Sequence, residues 1–195
     1  MGMEEAIEAM ELQSCTTGVL DMPDETGDSA LHVAVRKGHH KCVQVLIEAG
    51  ADVNREGANG LTSLMLAAVH HHIGIMRLLL VRGHSCRRTD TGEICHANEK
   101  NREGRTALHV AAASCNAEAV QLLLEEGVSA LERDSYGRTP LHYVAALKSY
   151  SNGMNQVGRI FELLLGTGRA DINAADFHGQ TPLMDAVARN QLAVT

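Results

Sequence analysis

The stretch G-R-T-P-L-H-Y-V-A-A, residues 137–146, decides the fold of this chain because versions of it recur along the sequence. They read G-D-S-A-L-H-V-A-V from Gly27, G-L-T-S-L-M-L-A-A from Gly60, G-R-T-A-L-H-V-A-A from Gly104 and G-Q-T-P-L-M-D-A-V from Gly179. Aligned on the Ser or Thr of each copy, two intervals are 33 residues, and the other two are 44 and 42, or 33 with insertions of 11 and 9. This period predicts a stack of similar units, each contacting only its neighbours.

Each unit reads as two short antiparallel helices followed by an extended loop. In the first copy Ser29 can cap a helix, Gly38 suits the turn that follows, and Gly50 ends a second helix. The second helices carry apolar residues three and four positions apart, which places them on one face. We interpret these stripes as packing surfaces: Val43/Leu46/Ile47, Met76/Leu79/Leu80, Val120/Leu123/Leu124 and Ile160/Leu163/Leu164.

A period near 33 residues with a T-P-L-H-x-A core resembles the ankyrin repeat family, from about Asp24 to the C-terminus. The resemblance implies an all-α solenoid of stacked helix-turn-helix units with projecting, β-hairpin-like finger loops. We expect a capping helix and linker over 1–23, the helix within Glu4–Leu12, and the repeat domain over 24–195. The repeats are expected at about 24–56, 57–100 with a finger insertion, 101–133, 134–175 with an inter-helix insertion, and 176–195, which is truncated.

Departures from the repeat pattern fall at the turns and in two insertions. The turn glycine is replaced by His71, Cys115 and Asn155, where positive φ would cost on the order of 1 kcal/mol. The segment 87–100 lengthens a finger, and the segment 148–156 lengthens the turn between two helices. Both are either tolerated surface insertions or functional loops. The fifth unit stops at Thr195, where its second helix should start. We expect the chain to be a piece of a longer protein, and the alternative is that another chain caps this unit.

Composition narrows the class of partner. The chain has a net charge of −7, which argues against a nucleic-acid partner. Its five cysteines are scattered without a C-x-x-C pair, no secretory signal is evident and apolar runs are short. We therefore expect a cytoplasmic or nuclear protein, without a membrane span in this chain; the oligomeric state stays open.

The eleven histidines raise the question of chemistry. His32, His109 and His142 hold the T-P-L-H position, where the resemblance implies a hydrogen bond within the framework. The best zinc candidates are Cys86, Cys95 and His96, with His84 as a fourth ligand, but their spacing matches no standard motif. We expect no metal, no cofactor and no catalytic residues, and hence no enzyme: His109 and Cys115 are framework positions rather than a nucleophile and its base.

A protein partner is expected on the finger loops and the concave face. Tyr136 and Phe177 lie on adjacent finger tips, and exposed aromatic residues are common binding hot spots. Alternatively, both rings fold back onto neighbouring fingers. Arginines in the fingers predict an acidic or aromatic-containing partner segment, since guanidinium groups pair with carboxylates. The expected binding residues are Arg102, Arg105, Tyr136, Arg138, Phe177 and His178.

The function expected on these grounds is that of a non-enzymatic scaffold or adaptor. The alternatives are a regulator of a transcription factor, resembling the inhibitor-of-NF-κB group, and a substrate receptor of a ubiquitin ligase. Asn54 and Asn173 each end a D-V-N or D-I-N finger with a leucine eight residues earlier. This pattern resembles ankyrin asparagines modified by an intracellular asparaginyl hydroxylase. The other interpretation is that these asparagines tie one finger to the next.

Overall fold

A computed structural model describes residues 20–83, 97–147, 154–166, 168 and 170–190. Within these ranges the regular structure is helical, apart from one antiparallel bridge between Glu56 and Thr62. The chain divides into two compact units, residues 1–96 and 97–195. The all-α fold expected from the sequence is confirmed, whereas the repeat boundaries stay a prediction. The described helices are α1 Ala30–Lys37, α2 His40–Glu48, α3 Ser63–Val69, α4 Ile73–Gly83, α5 Ala107–Ala113, α6 Ala117–Glu125, α7 Pro140–Ala145, α8 Met154–Gly166 and α9 Pro182–Asn190.

In the first unit, α1 packs on α2 and on α3, while α4 packs on α3 and on α2. The second unit repeats this arrangement, with α5 against α6 and α7, α8 against α6 and α7, and α9 against α7. The inner helices, α1, α3, α5 and α7, are six to eight residues long, and α5 is rich in alanine. Small side chains such as Ala111 and Ala112 are fully buried, which allows close approach of neighbouring helices.

The outer helices supply the larger apolar groups. Val43, Met76, Val120, Leu123, Ile160 and Leu164 are completely buried. Leu163, by contrast, is half-buried. Burying one such side chain stabilises the folded state by roughly 1.5–3 kcal/mol. These buried residues belong to the apolar stripes predicted from the sequence, which therefore form the cores of both units.

The turn positions behave as expected at two of three sites. His71 and Cys115 have φ of 57° and 56°, close to the 73° of Gly38 in the equivalent turn. The expectation for Asn155 was wrong, because helix α8 already begins at Met154 and includes it. The last three residues of the segment 148–156 therefore extend a helix instead of a turn, and 148–153 lie outside the described residues.

Several expected features lie outside the described residues. These are the helix within Glu4–Leu12, most of the finger insertion and the zinc candidates His84, Cys86, Cys95 and His96. The described end of that insertion is packed, since Ala97 is buried. None of the described helices combines the length and the apolarity that a bilayer crossing requires.

Candidate functional site

The histidines of the T-P-L-H phrase are structural. His109 is fully buried, and its Nδ1 accepts the backbone N–H of Thr106 at 3.1 Å, which closes a capping box at the start of α5. Its Nε2 lies 3.1 Å from the carbonyl oxygen of Arg138. His32 and His142 repeat this arrangement, with Nε2 against the carbonyls of Arg55 and Gln180.

These partners fix the protonation of the ring. A backbone N–H can only donate, so Nδ1 of His109 must be the acceptor, and a carbonyl can only accept, so Nε2 must carry the proton. The neutral ring is therefore the form that the site holds. Burial lowers the pKa of His109 and of His32. A buried, neutral ring bonded at both nitrogens has no capacity left for catalysis or for a metal.

In three fingers of the second unit, an Asp or Asn side chain accepts hydrogen bonds from the backbone of its own finger, a role that we did not predict from the sequence. Oδ1 of Asp134 accepts the N–H groups of Tyr136 at 2.9 Å and Arg138 at 2.8 Å. Asn101 and Asp176 bind their own fingers in the same way. The signal was present in the sequence, because each of these residues precedes a phrase glycine by three positions in a D/N-x-x-G pattern. Such side chains commonly stabilise tight turns through their own backbone.

Adjacent fingers of the second unit are joined through their backbones. The N–H of Ser135 donates to the carbonyl of Glu103 at 2.9 Å, and the N–H of Phe177 donates to the carbonyl of Tyr136 at 3.0 Å. Three consecutive finger tips are thus connected in series. Because a backbone already held in this way loses little freedom on binding, the tips form a preorganised surface.

The finger arginines mainly connect parts of the second unit. Arg105 pairs with Glu103 at 2.7 Å, donates from Nε to the Tyr143 hydroxyl at 2.8 Å, and lies over the Tyr143 ring. Arg138 pairs with the buried carboxylate of Asp176 at 3.3 Å. Each guanidinium therefore already has partners, although about a third of each side chain remains exposed. Their share in binding another protein stays a prediction.

Tyr143 is a second residue that sequence reasoning missed. Its hydroxyl donates to Oδ2 of Asp134 at 2.6 Å, and its ring meets that of His109 edge-on at 5.8 Å between centroids. Burial, together with the hydrogen bond to Asp134, raises the pKa of Tyr143 to about 12. The phenol therefore stays neutral and links a finger carboxylate to an inner helix.

The two aromatic tips are exposed. Tyr136 is 51% and Phe177 is 72% accessible. The Phe177 ring also lies on the neighbouring finger, since a Cβ added at Gly137 would be 2.7 Å from its Cδ1. The Phe177 ring therefore packs against Gly137, while most of the Phe177 side chain remains exposed to solvent. Arg102 and His178 are exposed beside these tips.

The two asparagines differ in their surroundings. Each backbone N–H donates to an aspartate two residues earlier, from Asn54 to Asp52 and from Asn173 to Asp171. Asn173 is exposed, whereas Asn54 is half-buried. The leucine eight residues earlier is 39% exposed at Leu165 but 4% exposed at Leu46. The second site is the more accessible of the two.

A reactive thiol and a metal site each place requirements on the described residues. Burial raises the pKa of the Cys115 thiol, which disfavours the reactive thiolate. Across the described ranges, no three His, Cys, Asp or Glu side chains are placed to hold one metal ion.

Comparison with known proteins identifies the repeats. A family model described as "Ankyrin repeats (3 copies)" matches residues 2–90 and 91–153, and one described as "Ankyrin repeat" matches residues 136–177. Neurogenic locus notch homolog protein 1 of Xenopus laevis is 34% identical over 68% of the chain, and human inversin is 30% identical over 89%. The human transient receptor potential cation channel subfamily A member 1 is 29% identical over 97%.

The chain spans only 5% of that notch homolog, 18% of inversin and 16% of the channel. Ankyrin repeats are general protein–protein interaction modules and are typically non-enzymatic. The recurring phrase, the paired helices and the family models all agree, and the chain belongs to the ankyrin repeat family.

Proposed function

We propose that this chain is a non-enzymatic scaffold or adaptor module that binds a protein segment through the finger tips of its second unit. The observation that carries the proposal is the pair of exposed aromatic side chains, Tyr136 and Phe177, on adjacent tips. The chain has only three Tyr and two Phe. Placing one of each in solvent is unfavourable unless a partner covers them, and burying aromatic area dominates many interfaces.

The backbone geometry supports this assignment. The bond from Phe177 N–H to the Tyr136 carbonyl fixes the spacing of the two tips. A partner would meet a surface whose loops are already ordered, which reduces the entropy lost on association. The tip residues that extend the surface are Arg102 and His178, both exposed.

The partner segment that fits is aromatic or aliphatic with nearby carboxylates. The exposed portions of Arg105 and Arg138 add positive charge beside the aromatic tips. Their existing partners orient the guanidinium groups, and a further carboxylate can approach the exposed edges. Attraction of this kind weakens as salt is added, whereas the aromatic contribution does not. A cytoplasmic or nuclear location is part of the proposal and rests on the scattered cysteines.

The experiment is a pull-down from cell lysate with the intact chain and with the Tyr136→Ala/Phe177→Ala variant, read by mass spectrometry. A matched control is Met22→Ala/Val81→Ala, which removes two apolar side chains of 67% and 65% exposure from the first unit. We expect a partner that is retained by the control and reduced by about tenfold or more in the tip variant. Circular dichroism establishes that both variants fold. Equal retention by both variants would refute binding at the finger tips.

A further inference from the structure

A histidine-rich positive patch lies at the inter-helix turns of the first unit, away from its fingers. The turn between α1 and α2 and the turn between α3 and α4 lie side by side. A Cβ added at Gly38 would be 2.8 Å from Cε1 of His72, and one added at Gly74 would be 3.6 Å from Cδ2 of His40. His72 therefore packs against Gly38, and His40 packs against Gly74, so the two turns contact each other through these side chains. The exposed members of this turn patch are Lys37, His39, His40, Lys41, His70 and His71.

Acidic residues are missing from the sequence around the patch. No Asp or Glu occurs from Ser29 to Ile47 or from Thr62 to Gly83, although the whole chain carries a charge of −7. Glu48 lies at the far end of α2, about 12 Å along the helix from His40. Arg36, next to Lys37, is paired with the buried carboxylate of Asp28. Apart from Glu48 at the far end of α2, the helices that carry the lysines and histidines of the turn patch contain no carboxylate.

The histidines of the patch lie close to one another. The rings of His70 and His72 stack with centroids 6.0 Å apart. The charged side chains described on these helices are Arg36 and Lys37 on α1, Lys41 and Glu48 on α2, and Arg77 on α4, whereas α3 carries no ionisable side chain. Burial, followed by the neighbouring His72, Arg36 and His71, lowers the pKa of His70. Protonation within this group adds positive charge beside positive charge, and a bound anion would offset the repulsion.

We propose that the turn patch binds an acidic polypeptide segment, with an affinity that rises as its imidazoles take up protons. An imidazole that takes up a proton adds a positive charge to a patch that already holds Lys37 and Lys41. Side-chain carboxylates are the complementary group. A flexible acidic segment can contact the patch alone, whereas a nucleic acid, with a charge every ~1.7 Å, would extend over the acidic remainder of the chain. This site is separate from the finger tips and does not depend on them.

The test is fluorescence anisotropy of a labelled decaglutamate peptide titrated with the full chain at about pH 7.5 and about pH 6. We expect binding to tighten by about fivefold to tenfold at the lower pH, since each exposed ion pair contributes modestly. The His39→Gln/His70→Gln variant should lose part of this gain, because His40, His71 and His72 remain. It keeps the glycine contacts of His40 and His72, so the fold of the turns is preserved.

A second pair of variants distinguishes binding at the turn patch from general electrostatic attraction of the peptide to the chain. Lys37→Glu/Lys41→Glu should abolish binding, whereas Lys100→Glu/Arg159→Glu makes the same change in net charge on the second unit and should leave it intact. Equal losses in both pairs, or a histidine variant that keeps the full pH effect, would overturn the proposal. Displacement of the peptide by oligouridylate at lower concentration than by unlabelled peptide would assign the patch to nucleic acid and would also overturn it.

Discussion

Two glycines with nearly the same backbone conformation should respond very differently to alanine. Gly104 and Gly179 have φ of 72° and 75°. An added Cβ at Gly179 meets no described atom within 4 Å, whereas at Gly104 it would be 2.7 Å from the backbone nitrogen of Ser135. Comparison of the two variants therefore isolates the cost of pushing neighbouring fingers apart.

The magnitudes follow from the contacts. A Cβ in the left-handed region costs about 1–2 kcal/mol in either variant, offset by about 0.4–1 kcal/mol because alanine restricts the unfolded chain. At Gly179 the net loss should be about 1 kcal/mol. At Gly104 the obstacle is backbone, which cannot rotate away, so strain of about 1–3 kcal/mol is added. The fingers must separate, which weakens the bond from Ser135 N–H to Glu103 by roughly 0.5–1.5 kcal/mol. We expect a total of about 4 kcal/mol.

The assay is urea unfolding monitored by circular dichroism. The unfolding midpoints of Gly104→Ala and Gly179→Ala are compared using one m-value, the slope of the unfolding free energy against urea concentration, for both variants. Amide exchange at Ser135 provides a local readout, and its protection should fall only in the Gly104 variant. Equal losses of stability in the two variants, with Ser135 protection unchanged, would refute the reasoning. That result would mean that the fingers accommodate the methyl group without separating.

Three further predictions follow from the same contacts. Tyr143→Phe removes the hydroxyl between Arg105 and Asp134 and should cost about 1–3 kcal/mol in urea unfolding, because the buried carboxylate loses a donor; an unchanged midpoint would show that the hydroxyl contributes nothing. The pKa values of His32 and His109 are lowered in the folded protein, so the unfolded chain binds more protons than the folded one below about pH 6.5. The urea midpoint should therefore fall as the pH is lowered from about 6.5. A midpoint that rises on acidification would contradict this prediction. Incubation with an asparaginyl hydroxylase should add one oxygen atom to the peptide containing Asn173 before that containing Asn54, as measured by peptide mass spectrometry; the reverse order would show that exposure does not govern the reaction.

The fold was accessible from sequence because each unit repeats the same local physics. Ser29 and Thr106 cap their helices as expected, and the apolar stripes are buried. Asn155 was misplaced because one repeat with an insertion gives no periodic signal for where its turn ends. For the finger tips, sequence located Tyr136 and Phe177 but not their exposure, which depends on packing over Gly137. Tyr143 and Asp176, the partners of Arg105 and Arg138, each lie thirty-eight residues away and follow from the stacking of repeats, which no local pattern encodes.

The bonds from the framework histidines set an order in which the second unit can come apart. His109 holds the carbonyl of Arg138, and His142 holds that of Gln180, so each inner helix anchors the residue preceding the next helix cap. If the repeat that contains His142 unfolded while its neighbours stayed folded, both of these hydrogen bonds would break at once. Peeling the final described helix away would break only the second. Unfolding of this unit should therefore begin by fraying at an end, and sites in its middle should be the last to be exposed to proteases.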